Sequence, residues 1–223
     1  MCGRFTLTAD PSDLQEAFYW VDFGNADISP RYNIAPTQGV PVVANTGENK
    51  LDFFTWGFVP FWAKDPSIGS RMINARAETL AEKPSFRNAF KRRRCLILAD
   101  GFYEWQKIPG QKAKSPVYIQ QMDGKPFAFA GIWENWNSPD GSQILSTAII
   151  TTEPNEVVRP IHNRMPVILS SEAYKTWLQP GEVDTKHLEP LLKPYESEEM
   201  RAYPVSRLVN NPKNDSKACI LPV

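Results

Sequence analysis

The chain opens "MCGRF", with Cys2 directly behind the leading methionine. A side chain as small as cysteine permits removal of Met1, which would leave one residue bearing both a free α-amine and a thiol. An α-amine titrates near ~8, against ~10.4 for lysine, so much of it is neutral and nucleophilic at physiological pH. Nitrogen and sulfur on this residue are spaced so that both can bond one aldehyde carbon and close a five-membered ring. The amine would form a Schiff base first. The adjacent thiolate would then add without a second diffusional encounter. Chain ends also fray, so a cysteine in second place fits an accidental position as well.

Two histidines are present, which localises any histidine chemistry. His187, in "VDTKHLEPLL", sits among charges and is expected to be inert on a helix surface. His162, in "RPIHNRMPVIL", lies in a loop ahead of a strand, between Arg159 and Arg164. Neighbouring cations would hold its pKa down and keep it neutral, ready to shuttle a proton; a structural loop histidine is the alternative. The segment "LILADGFYEW" runs an apolar strand into Gly101 and presents Glu104 between Tyr103 and Trp105. A carboxylate among aromatics is desolvated, which raises its pKa and suits acid–base work. Pairing with an arginine is the competing expectation. In "MINARAETL", Asn74 and Arg76 are separated by one residue, so an extended segment points both to one face. An amide and a guanidinium there could hold a phosphate or a sugar.

Basic and acidic residues balance at 25 each, which excludes a histone-like polycation. The run "KRRR" at 91–94 reads as a solvated face or a polyanion contact. Arg4, Arg71, Arg76, Arg159 and Arg164 lie near the candidate residues in sequence, and a fold that gathers them would give a neutral protein a basic groove. Trp62 and Trp105 could then stack on bases, although core packing is the commoner fate of tryptophan. No nucleophile elbow, phosphate-cradling loop or H-E-x-x-H and C-x-x-C pattern occurs. Three widely spaced cysteines do not form a secreted disulfide framework; Cys95 and Cys219 lie in apolar runs and are expected to be buried. A structural metal site is not expected.

These groups need a scaffold. At 223 residues the chain suits one domain, 1–223, with a self-sufficient core. Helices are expected in "DPSDLQEAFYW" and "SSEAYKTWL", and more weakly in "TKHLEPLLK". Strands are expected in "VPVVAN", "LDFFTWGF", "RCLILADGFYEW", "SPVYIQQM", "PFAFAGIWENW", "QILSTAIITT", "MPVIL" and "MRAYPVS", with hairpin turns at 123–125 and 138–142. Strands outnumber helices and rarely alternate with them. The expected class is α+β: a mainly antiparallel, barrel-like β core with short peripheral helices. No signal-peptide core and no run near the ~20 residues of a membrane span is found, so a reducing cytosolic or nuclear compartment is expected.

Nine segments together resemble the SRAP family, the SOS-response-associated peptidase fold: "MCGRF", "RYNIAP", "WGFVPFW", "INARAET", "LADGFYEW", "AGIWE", "IITTEPN", "IHNRMPVIL" and "VSRLVNNPKND". They run almost the whole length in the family's order. The resemblance implies that mature Cys2 is catalytic and that the substrate is the ring-opened aldehyde of an abasic site in single-stranded DNA. It implies that Asn74 positions the sugar, and that Glu104 and His162 supply acid–base chemistry. Arg4, Pro36, Trp62, Arg76, Trp105, Thr151 and Arg164 would line the DNA path. The sequence has "PFW" at 60–62 where some members carry two successive tryptophans. The peptidase label would mean removal of whatever precedes Cys2. No cofactor, metal or membrane is implied; a monomer is expected, cytoplasmic in a bacterium or nuclear in a eukaryote.

Two other readings remain open from the residues. Met-Cys-Gly also begins glutamine amidotransferases, whose thiol attacks an amide while the α-amine acts as base. The characteristic segments of those enzymes, of "NGEI" and "GHxR" type, are missing. A non-enzymatic single-strand binder using basic and tryptophan side chains alone is the third.

Overall fold

The structure, a computed structural model, describes residues 2–223; the expected trimming of Met1 falls outside them. The chain begins with β1 (Phe5–Leu7), α1 (Pro11–Ala17), β2 (Arg31–Ile34), β3 (Gly39–Ala44), β4 (Leu51–Trp56) and β5 (Asn74–Arg76). It continues with α2 (Arg87–Arg92), β6 (Arg94–Ala99), β7 (Gly101–Gln106), β8 (Ser115–Gln121), β9 (Phe127–Asn137) and β10 (Gln143–Thr152). It ends with β11 (Met165–Pro166), β12 (Ile168–Leu169), α3 (Ser171–Trp177) and β13 (Met200–Pro204).

Strands β4, β3, β6, β9 and β10 pair in that order, and β10 returns to pair with β4, closing a barrel. The β10–β4 seam is parallel, at Ser146↔Thr55 and Thr147↔Trp56, whereas the other joints are antiparallel. Closure leaves no exposed strand edge in the ring. β6 is buried at every position, as expected of a strand covered on both faces. A second sheet, ordered β13-β8-β7-β1-β2, lies against the barrel. Phe5 of β1 packs edge-on to Trp56 and Phe129, at centroid distances of 5.1 and 5.7 Å, joining the two layers. A buried phenylalanine of this kind contributes roughly 1.5–3 kcal/mol, and here it anchors the strand that follows Cys2. The α+β, barrel-like class expected from the sequence is the one observed.

Three local expectations are corrected. "RCLILADGFYEW" is two strands: β6 belongs to the barrel and β7 to the second sheet, with the break at Asp100. Buried Asp100 accepts from the Thr8 main-chain N–H, the Thr8 hydroxyl, the Ala9 N–H and the Thr6 hydroxyl, which ties the end of β1 into the corner. A Cβ on Gly101 would collide with the Tyr118 hydroxyl and ring, so only glycine fits that corner. The turn at 123–125 is not a hairpin, because β8 and β9 on either side belong to different sheets; the turn at 138–142 does join the paired strands β9 and β10. "TKHLEPLLK" forms only short 3-10 turns, Thr185–His187 and Glu189–Leu191, where Pro190 prevents a continuous helix.

The basic run divides into three kinds of residue. Lys91 and Arg92 are exposed, and Arg92 pairs with Glu182 at 2.6 Å. Arg93 meets the buried carboxylate of Glu134 at 2.7 Å. Arg94 is fully buried and donates to main-chain carbonyls of Phe90, Lys91, Trp177, Gln179 and Gly181. These carbonyls lie at the C-terminal ends of α2 and α3 and in the residues just beyond α3, where helices leave acceptors without partners. One guanidinium therefore satisfies both helix ends, and burial holds its pKa down to about 10.

Candidate active site

Cys2 lies just ahead of β1 and is fully buried. β1 pairs with β7 at Phe5↔Phe102, and the Tyr103 N–H donates to the Arg4 carbonyl at 2.9 Å, so the register carries Glu104 opposite the Cys2–Gly3 segment. Burial, followed by the nearby Glu104 carboxylate, pushes the Cys2 thiol well above its ordinary value. Its sulfur faces the Arg4 carbonyl at 4.0 Å.

β5 brings Asn74 to the same place by pairing with β10 in parallel, at Asn74↔Ile149. Asn74 Nδ2 donates to the Cys2 carbonyl at 2.9 Å. Asn74 Oδ1 is buried with no hydrogen-bond partner among the described residues, leaving one acceptor at the cysteine.

Glu104 is 2% exposed, and burial is the main reason its carboxyl is pushed up to about 7. His162 Nδ1 lies 3.9 Å from Glu104 Oε1. His162 Nδ1 lies 3.1 Å from the Arg164 main-chain nitrogen and 3.3 Å from the Arg164 carbonyl, so either neutral tautomer finds a partner there. The His162 pKa is lowered as the sequence suggested, but the first cause is burial and not the flanking Arg159 or Arg164. Gln106 Nε2 donates to the Pro160 carbonyl at 3.1 Å and fastens this loop to β7. His187 is exposed on its 3-10 turn.

The residues expected along a DNA path are placed less uniformly. Trp62 is 51% exposed beside exposed Phe61, on a turn pinned by the Trp136 indole N–H to the Ala63 carbonyl at 2.7 Å. That segment is held by a close crossing of two glycines: a Cβ on Gly57, whose φ is +143°, would meet the Gly69 oxygen at 2.7 Å. Pro36 lies half-buried in the turn between β2 and β3, and Arg76 is exposed at the end of β5. Thr151, paired with Arg76, is buried, and its carbonyl accepts from Arg164 Nη2 at 2.6 Å. Arg164 is otherwise committed to Glu78, at 2.5 and 2.9 Å in a two-pronged pair. Arg4 turns away from Cys2, and its Nη1 donates to Asn33 Oδ1 at 2.6 Å and the Val209 carbonyl at 2.7 Å. The guanidinium lies 5.8 Å from the centre of the Trp105 ring, whose own N–H donates to Asn210 Oδ1 at 2.7 Å.

Asn33, Glu78 and Lys114 are contributors that sequence reasoning missed. Fully buried Asn33 donates to the carbonyls of Val209, Asn211 and Asn214 at 3.2, 3.0 and 2.7 Å. The charge of Lys114 acts on both Glu104 and His162. The only signal for Asn33 in the sequence was its place in "RYNIAP"; nothing local marked its partners near the far end of the chain.

A closed β barrel thus has a cysteine, an amide, a carboxyl and an imidazole from four separate segments brought together beside it. Residues 1–212 match the family described as SOS response associated peptidase (SRAP), and the chain belongs to that family. It is 48% identical over 222 residues to a Bacillus subtilis protein named abasic site processing protein YoqW, covering 99% of both chains. It is 31% identical over 262 residues to abasic site processing protein HMCES of Xenopus tropicalis, covering 99% of this chain and 78% of that one. A crystal structure of a Bacteroides thetaiotaomicron protein superposes with a TM-score of 0.87 at 27% identity over the full length of both chains.

Proposed function

We propose that this protein processes abasic sites in single-stranded DNA by capturing them covalently on Cys2. The observation that carries this reading is the Asn74 Nδ2–Cys2 carbonyl contact at 2.9 Å, in a pocket shared with a carboxyl raised to about 7. The names of the relatives, abasic site processing proteins, point the same way.

With Met1 removed, the Cys2 amine attacks the aldehyde carbon of the opened deoxyribose and water leaves, giving an imine. The Cys2 sulfur then bonds the same carbon, the C=N electron pair becomes an N–H, and a thiazolidine joins protein to DNA. Because burial keeps the sulfur as a thiol, a base must take its proton. Glu104, near half-ionised at neutral pH, is that base. Glu104 as acid and His162 donate protons for sugar opening and water loss. Asn74 fixes the cysteine carbonyl and offers Oδ1 to a sugar hydroxyl. Arg4, Pro36, Trp62, Arg76, Trp105, Thr151 and Arg164 border the strand: Trp62 stacks, Arg76 meets phosphate, and Arg4 acts through Trp105. The same pocket removes the residue ahead of Cys2, and β-elimination from the imine would nick the strand as a side activity.

Mixing the purified protein with abasic single-stranded DNA tests the reading. The expected product survives boiling in detergent and is lost in Cys2→Ala. Glutamine hydrolysis with no such product would overturn it in favour of an amidohydrolase.

A further inference from the structure

The whole protein carries 25 basic and 25 acidic residues, yet their distribution around Trp105 is lopsided. The loop after β7 bears Lys107, Lys112 and Lys114, and no acidic residue occurs between Glu104 and Asp123. The C-terminal segment bears Arg207, Lys213 and Lys217, and its one acid after residue 200, Asp215, is paired with Arg31 at 2.5 Å. All six of these cations are exposed. The two segments touch, since Arg207 Nη2 donates to Gln111 Oε1 at 3.4 Å.

The position of this patch is set by the site. The 3-10 turn Arg207–Asn210 contacts Trp105 through the indole–Asn210 bond. Lys107 follows Glu104 by three residues, or ~10 Å along an extended chain, which is one or two nucleotide steps. The segment is held rigidly there: Asn33 and Arg4 clamp its carbonyls from beneath, leaving its cations facing solvent. Six exposed cations on two segments that meet beside the half-buried indole make a surface for the sugar–phosphate backbone of a strand leaving the pocket.

We propose that the loop at 107–114 and the segment at 206–217 form a second DNA-binding surface, which grips phosphates flanking the abasic nucleotide. This rests on the reading of single-stranded DNA as substrate. The test is equilibrium binding of undamaged single-stranded DNA long enough to cross both segments, measured over a salt series. A Lys112→Ala, Arg207→Ala, Lys213→Ala triple variant is compared with a Lys50→Ala, Lys175→Ala, Lys186→Ala control whose exposed lysines lie elsewhere. The first variant should bind about tenfold or more weakly, with the log–log salt slope reduced by roughly 2, at ~0.7 for each phosphate that is no longer neutralised. The control should match the wild type. An unchanged slope in the first variant, or an equal weakening in both, overturns the proposal. Adduct formation by the wild type on abasic DNA is scored separately: its absence sinks the capture reading while leaving the surface to stand or fall on the salt slopes.

Discussion

Asn74 and Cys2, 72 positions apart, meet through a 2.9 Å hydrogen bond from the amide to the cysteine main-chain carbonyl. The bond holds the Cys2 carbonyl without engaging its sulfur, so on the proposed capture reading it orients the residue that attacks. An asparagine used this way changes the geometry of attack more than the affinity for DNA. Asn74→Ala should therefore slow adduct formation at saturating abasic DNA by about tenfold or more, with a small change in half-saturating concentration. A shift confined to half-saturation would instead make Asn74 a binding residue.

On the capture reading, Glu104 links activity to stability. Its carboxyl rises from an ordinary 4.5 to about 7, so between those values the folded protein holds a proton that the unfolded chain has released. Stability contributed by that proton is present below about pH 4.5 and is lost as pH rises toward 7. At about 1.4 kcal/mol for each pH unit, the loss by neutral pH is up to about 3 kcal/mol. Glu104→Gln should thus be more stable than wild type at pH 7.5 and nearly equal at pH 4, by urea unfolding. Its adduct formation should be slow, and should lack the rise through about pH 7 expected of a wild-type base.

Arg94 supplies the clearest stability test. Replacing it with methionine roughly keeps the volume but removes the Arg94 donor from five carbonyls, of which the bonds to Trp177 and Phe90 are fully buried. Each unsatisfied buried group costs roughly 1–3 kcal/mol, so a loss of several kcal/mol is expected even if water reaches some of them. A denaturation midpoint within error of wild type would show that the two helix ends find other partners.

Glu78 neutralises Arg164 while holding it in place. Glu78→Gln keeps an acceptor at the same reach and removes the charge. Binding of single-stranded DNA should tighten a few-fold and the salt slope should steepen by up to ~0.7, measured by fluorescence anisotropy. Weaker binding would mean that the carboxylate's aim, and not its charge, is what Arg164 needs.

Much of the scaffold could be read locally. Segments such as "PFAFAGIWENW" and "QILSTAIITT" are long, β-rich and joined by an Asp-Gly turn, and they form the paired strands β9 and β10. The short strands β1, β2 and β5 have three or four residues each, too few to show a period, and exist because a neighbour pairs with them. Glu104 was legible because its aromatic neighbours in the sequence announce burial. The commitments of Arg4 and Arg164 were not: their partners Val209 and Glu78 lie 205 and 86 positions away. "KRRR" misled for the same reason, since nothing in four consecutive cations tells which one a pair of helix ends will draw inside.

The clamp between Asn33, Arg4 and the carbonyl of Val209 couples two distant parts of the chain. Cutting the polypeptide after β13 would remove the three carbonyls that Asn33 serves and orphan a fully buried amide 176 or more positions upstream. Damage from a C-terminal truncation is therefore felt where the fold begins, beside Arg4 and β1.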